Sequence, residues 1–315
     1  MRSREAIPYR CSVAPSSALQ PTASTPGSVP LGSIALVVAG LACQDVGASF
    51  AVLLFPAVGA IGMVALRLAF SALVLLAVFR PGLRGYRPAD WVTVVAFGLV
   101  LAGMNALFYE ALARIPLGAT VTIEVLGPLV LSVVMSRRAL SWLWAVLAFF
   151  GVLLLSRGSF GDLDPGGVVF AFAAAALWAG YILLSARTGR RFPRFDGLAI
   201  AMSVGAIITV PFGVVSAGPA LFEPKILLLG VAVALLSSMI PYAFELAALR
   251  RLPSATFSIL MSLSPAIATT AGFLILGQDL NWIAIVAIVL VITASIGAVR
   301  SSRSGSFGPV LDELA

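Results

Sequence analysis

From residue 33 onward, apolar runs of 18 to 23 residues alternate with short polar stretches carrying Arg, Gly and Pro. A helix crossing the roughly 30 Å hydrocarbon layer of a bilayer needs about 20 such residues, within a range of about 17–25. Ten runs meet that length, at approximately 33–54, 58–79, 91–113, 117–136, 139–156, 166–186, 197–216, 225–247, 254–276 and 281–299. The pattern predicts an all-α integral membrane protein of ten transmembrane helices. Residues 1–30 are rich in Ser, Pro, Thr and Ala and hold no apolar run. A cleaved signal peptide needs an apolar stretch of about 7–15 residues, so a disordered cytoplasmic tail is expected there. A second short cytoplasmic tail is expected at 301–315.

The polar connections test that count. With the N-terminus inside, the inner segments carry Arg2, Arg4, Arg10, Arg80, Arg84, Arg87, Arg137, Arg138, Arg187, Arg190, Arg191, Arg194, Arg250, Arg251, Arg300 and Arg303. The outer segments carry only Arg114, Arg157 and Lys225, while Arg67 lies within a run. Positive charge collects on the cytoplasmic side, so both termini are expected in the cytoplasm.

The chain also repeats itself. Pro116 and Pro128 stand twelve apart in IPLGATVTIEVLGPL, and Pro253 and Pro265 stand twelve apart in LPSATFSILMSLSPA. The offset of 137 places Arg114 over Arg251, Ser132 over Thr269 and Glu124 over Met261. Five runs fall in each half, 31–157 and 158–300. Five is odd, so the second half must enter the membrane from the opposite side. Such inverted repeats are common in transporters, whose substrate sites lie near the midplane between the halves, and they also occur in channels.

Composition agrees with a membrane chain and narrows the chemistry. The 315 residues are 60% hydrophobic and 10% charged, with a mean hydropathy of +1.07. Soluble domains average about 45–50% and 25%. The net charge of +7 sits between apolar runs, so it sets topology and implies no nucleic-acid partner. Cys11 and Cys43 are the only cysteines and histidine is absent, which leaves no disulfide framework, no expected metal site and no histidine proton relay. No G-x-S-x-G elbow, phosphate-binding loop or H-E-x-x-H helix is present, so no enzyme is expected and no cofactor is implied.

Several stretches resemble the drug/metabolite transporter superfamily, whose members carry two EamA-type repeats of five helices. They are VGASFAVLLFPAVGAIGMVALRLAF (46–70), GMNALFYEALARIPLGATVTIEVLGPLVLSV (103–133), SRRALSWLWAVLAFFGVLLL (136–155), ALWAGYILLSARTG (176–189) and SSMIPYAFELAALRRLPSATFSILMSLSPAIA (237–268). Within that superfamily they are most similar to the bacterial threonine/homoserine exporters. Glu110 departs from the apolar or hydroxyl residue expected there. The resemblance implies efflux of small neutral amino acids across the cytoplasmic membrane; proton antiport is the coupling expected if Glu124 titrates, whereas uniport would need no titrating group. It covers about 33–299.

Glu124 is the candidate proton carrier. A carboxylate at a bilayer centre costs about 2.5–3.5 kcal/mol on insertion scales, so it requires a task or a partner. Burial disfavours an ionised carboxyl and a nearby cation favours it, so a buried Glu can trade a proton as its surroundings alternate. A structural ion pair is the plainer role. Thr120, Glu124, Pro128 and Ser132 recur every four residues, one polar stripe on a helix. Arg67 cannot lose its charge and needs a carboxylate, backbone carbonyls or a bound anion. Glu124 and Asp45 are candidate partners, as is a substrate carboxylate. Asp45, with Ser49 one turn on, lines a cavity or pairs with Arg67.

Asn105 and Tyr109 share a face at i, i+4, and Tyr242 takes the repeat position of Asn105. They form a candidate amino-acid site, or simply pack. Trp178 and Tyr181 form a candidate aromatic wall. Gly127-Pro128 and Ser264-Pro265 are expected helix breaks that free backbone carbonyls. Glu110 and Glu245 lie nearer to span ends, where solvation is cheap. A bulky aromatic cargo would use Trp178 and Tyr181, whereas an amino acid would use Arg67, Asn105 and Tyr109. Another metabolite or drug-like cargo on the same fold is the alternative, and a non-transporting scaffold or sensor the alternative of another class. Expected partners are a small-molecule substrate, protons and the lipid bilayer, with a homodimer also open.

Overall fold

The computed structural model describes residues 31–136, 139–158, 163–193, 195–241, 244, 248 and 260–302. Among these residues the structure is helical, without strands. The helices are α1 (Leu31–Phe79), α2 (Pro88–Leu112), α3 (Leu117–Glu124), α4 (Leu126–Ser136) and α5 (Ala139–Gly158). They continue with α6 (Pro165–Arg191), α7 (Asp196–Ala217), α8 (Pro224–Ala234), α9 (Ser264–Leu276) and α10 (Trp282–Ser302). A short 3-10 turn, Gly218–Phe222, extends α7, and a π-turn, Leu235–Met239, extends α8.

Four stretches are long and apolar enough to cross a membrane unaided: Leu31–Phe79, Pro88–Leu112, Pro165–Arg191 and Asp196–Phe222. The other apolar helices are shorter. α1 spans 49 residues, about two membrane thicknesses at 1.5 Å per residue. The expected gap at 55–57 is absent, and Pro56 stays inside the helix. The bend falls at Gly59, whose φ of 69° only glycine adopts without strain. Gly47 in the first arm and Arg67 in the second both reach Ser237 of the π-turn. A straight helix would hold residues 47 and 67 about 30 Å apart, so the arms fold back side by side.

The fourth expected run differs too. It is two helices, because α3 ends at Glu124 and α4 starts at Leu126. Pro128 lacks the N–H that would continue the ladder to the Glu124 carbonyl.

Close packing relies on small residues. A Cβ at Gly127 would collide with the Ala175 carbonyl of α6, and one at Gly118 with Thr269 of α9. Gly151 and Gly297 let α5 and α10 approach in the same way. The bundle is apolar outside as well as inside. Ile207, Phe212, Val215, Leu228 and Leu274 all point outward, Val215 with 86% of its surface exposed. Asp45, Ser49, Asn105 and Thr120 are instead buried. Buried polar groups in an apolar bundle with an apolar rim match a lipid surround.

Candidate functional site

Arg67 lies in the second arm of α1 and its guanidinium gathers two other chain segments. Nη2 donates to the Ser237 carbonyl at 2.9 Å and Nε to the Ser238 hydroxyl at 3.2 Å. Nη1 donates to the Tyr109 hydroxyl of α2 at 3.3 Å, and the guanidinium carbon sits 5.6 Å from that ring's centre. Tyr109 is fully buried and its ring meets Phe55 at 5.7 Å and Phe108 at 5.9 Å. The expected pairing of Arg67 with Glu124 or Asp45 is not the contact found. Among the described residues neither carboxylate forms a salt bridge with it. The neighbours on Arg67 are neutral acceptors.

Both carboxylates are nonetheless near. Glu124, half-buried at the last residue of α3, lies within electrostatic range of Arg67 and of Asp45. Asp45 is only 2% exposed, and its Oδ2 has no hydrogen-bond partner among the described residues. Ser49, one turn on, donates to the Asp45 backbone carbonyl and leaves the carboxylate alone. The structure thus brings Asp45, Arg67, Tyr109 and Glu124 into one interior neighbourhood, built by α1, α2, α3 and the end of α8. Among the described residues no three metal-binding side chains converge.

The remaining candidates divide. The buried Asn105 amide donates to Leu101 O at 2.8 Å, and the buried Thr120 hydroxyl donates to Pro116 O at 3.1 Å. Each polar group is turned to its own helix. Trp178 packs against the core, and Tyr181 meets Phe97 at 5.2 Å. The helix end at Glu124 interrupts the expected stripe of Thr120, Glu124 and Pro128, because Val125 separates α3 from α4. Gly127 serves the close approach to α6, while Ser264 and Pro265, both buried, begin α9. Glu110 pairs with Arg114 one turn on, and Arg114 also faces Asp164 at 3.9 Å. Tyr242 and Glu245 lie outside the described residues, as do residues 1–30, 303–315 and Pro253, while 301–302 of the expected C-terminal tail continue α10.

Ser237 and Ser238 were not among the expected site residues. Serine within a span usually bonds back to its own helix, as the Ser237 hydroxyl does to Val233 O at 2.7 Å. A usable signal stood four residues further on. Pro241 has no N–H, so the Ser237 carbonyl loses its α-helical donor and is available to another group.

Fixed and titratable charges held inside an apolar-faced helical bundle define a polytopic membrane protein with an internal polar site. Residues 165–300 match the EamA-like transporter family. The chain is 42% identical to the threonine/homoserine exporter RhtA of Salmonella typhimurium (strain LT2), over 82% of its own length and 88% of that protein's. It is 39% identical to the exporter of the same name from Escherichia coli (strain K12), over 87% of its own length and 93% of that protein's. The chain belongs to the EamA-like transporter family, a family of transporters and not of enzymes. A solved crystal structure of a protein 19% identical shares the fold, with a TM-score of 0.55 over 86% of this chain and 98% of the other.

Proposed function

We propose that this protein is a ten-span secondary transporter of the bacterial cytoplasmic membrane that exports small neutral amino acids of the threonine/homoserine type by proton antiport. Both termini face the cytoplasm, and two inverted halves, 31–157 and 158–300, rock about a central site. The observation that carries this reading is the coordination of Arg67. A guanidinium inside the bundle, held by three neutral acceptors, keeps two of its five N–H groups without a partner among the described residues, and its charge, for an anion. A substrate carboxylate satisfies both, and Asp45 Oδ2, unpartnered among the described residues, suits the substrate ammonium. The names of the two relatives support the cargo.

Packing supports the doubled architecture. An offset of 137 lays the second arm of α1 on α7, α2 on α8 and α4 on α9. The second arm of α1 packs on α7, α3 on α9 and α5 on α10, so corresponding spans meet across the centre. The contact of α2 with α7 is matched by that of α8 with the second arm of α1, where Leu66 and Phe70 meet Gly230.

Glu124 exchanges protons with incoming substrate, its half-buried position giving access to a proton and its nearness to Arg67 and Asp45 linking it to the cargo. The test is efflux of labelled threonine and homoserine from loaded cells, with and without an uncoupler. Efflux should collapse with the gradient, and Glu124→Gln should abolish pH-driven counterflow while leaving binding within a few-fold. Efflux that survives the uncoupler removes the proton and keeps the cargo. Absence of efflux for both compounds removes the cargo.

A further inference from the structure

The proposed carboxylate site is built as much by backbone as by side chains, and the segment responsible is the end of α8. Between Leu235 and Met239 the helix widens by one residue, with Ile240 N–H bonding to Leu235 O. Single π-turns of this kind occur frequently at functional sites. Pro241 follows, buried and packed against Gly40 of α1. Its missing N–H removes the α-helical partner of the Ser237 carbonyl. Ser237 O and Ser238 Oγ then accept from Nη2 and Nε, two neighbouring nitrogens along one edge of the Arg67 guanidinium. Planar guanidinium donors match such a two-acceptor edge bidentately. Tyr109 takes one N–H of the third nitrogen, which among the described residues leaves one N–H on each terminal nitrogen. Gly47 on the first arm of α1 holds the turn in place, since a Cβ there would lie 3.0 Å from Ser237.

From this geometry we infer that Ser237, Ser238 and Pro241 are positioning residues: they clamp one edge of Arg67 so that its remaining N–H groups select cargo bearing a free carboxylate. The inference rests on the amino-acid reading above and sharpens it. Uncharged-carboxyl analogues, such as amino-acid amides and esters, fit the ammonium side and gain nothing from the clamp. Pro241→Ala supplies an N–H that competes for Ser237 O, and Ser238→Ala deletes the acceptor of Nε. Neither change touches cargo, so an effect confined to the carboxylate must pass through Arg67.

The experiment measures binding of L-threonine and of L-threoninamide to the purified full-length protein, wild type and both variants. In parallel, mass spectrometry follows phenylglyoxal modification at Arg67 without any ligand. Each variant should weaken threonine roughly 10-fold, the scale of one hydrogen bond to a charged group, and leave threoninamide within about 2-fold. Arg67 should become several-fold more reactive as its edge is released. Equal weakening of both ligands, or unchanged binding with unchanged reactivity, overturns the clamp. If the wild type binds neither ligand, the cargo reading falls and the reactivity of Arg67 alone decides the clamp. A rise then retains it and no rise overturns it.

Discussion

Two spans of this protein depart from a regular α-helix beside the same charges, and in each a proline stands four residues after a carbonyl that loses its donor. In α3–α4, Pro128 deprives the Glu124 carbonyl of its donor and the helix divides at Val125. At the end of α8, Pro241 does the same to Ser237, yet the helix continues through a π-turn to Ile240. The first break presents an ionisable side chain. The second presents a neutral carbonyl and a hydroxyl, both used by Arg67. The contrast separates two tasks that a coupled transporter needs. On the proposed mechanism, the group that changes charge sits where the helix is interrupted, and the group that must not change is held by acceptors that cannot titrate. The neighbours differ as well. Gly127 brings the first break onto the α6 backbone, whereas the second lies against α1 through Gly40 and Gly47.

That difference in packing gives the largest expected effect. A Cβ at Gly127 runs into the rigid carbonyl of Ala175, whereas one at Gly47 meets Ser237 at 3.0 Å, tight but relieved by a shift of a few tenths of an ångström. Gly127→Ala should therefore lower stability by about 1–3 kcal/mol, the usual cost of overpacking, and Gly47→Ala by clearly less. Thermal unfolding of the purified variants in one detergent reads both, and equal losses would dissolve the distinction. A middle-sized effect belongs to Tyr109→Phe. It keeps the ring beside Arg67 and deletes the hydroxyl acceptor on the side away from α8. Threonine affinity should fall by about 3- to 10-fold, in line with roughly 0.5–1.5 kcal/mol per hydrogen bond. A larger fall than that of Ser238→Ala would move the main support of Arg67 from α8 to α2. The smallest effect lies away from both breaks. Arg191 faces Asp90 at 3.8 Å with its side chain 53% exposed, so Asp90→Asn should cost at most about 0.5 kcal/mol and leave efflux unchanged.

Much of this was legible along the chain. The apolar runs, the lone acid in IPLGATVTIEVLGPL and the mid-span Arg67 follow from hydropathy and from the cost of charge in lipid. The i, i+4 stripe through Thr120 and Glu124 looked continuous because helical periodicity knows nothing of a break. Asn105 and Tyr109 share a helix face by spacing, yet only Tyr109 reaches Arg67, while the Asn105 amide turns to Leu101. The gap between the first two apolar runs falls at 55–57, around Pro56, whereas the chain bends where Gly59 takes a positive φ.

The sequence by itself determined that this is a helical membrane chain, with a proline pair echoed at an offset of 137, few charges inside its apolar runs and proline four residues after Glu124. Hydropathy, spacing and the missing N–H of proline are properties of neighbours along the chain, so they need no fold to be read. Only the tertiary structure decided that Arg67 would be satisfied by Ser237 and Ser238, 170 and 171 residues away, and not by the nearer acids. Hydrogen-bond partners are chosen by which helix faces pack together, and serine carries no long-range signal of its own because its hydroxyl is equally content with the turn behind it.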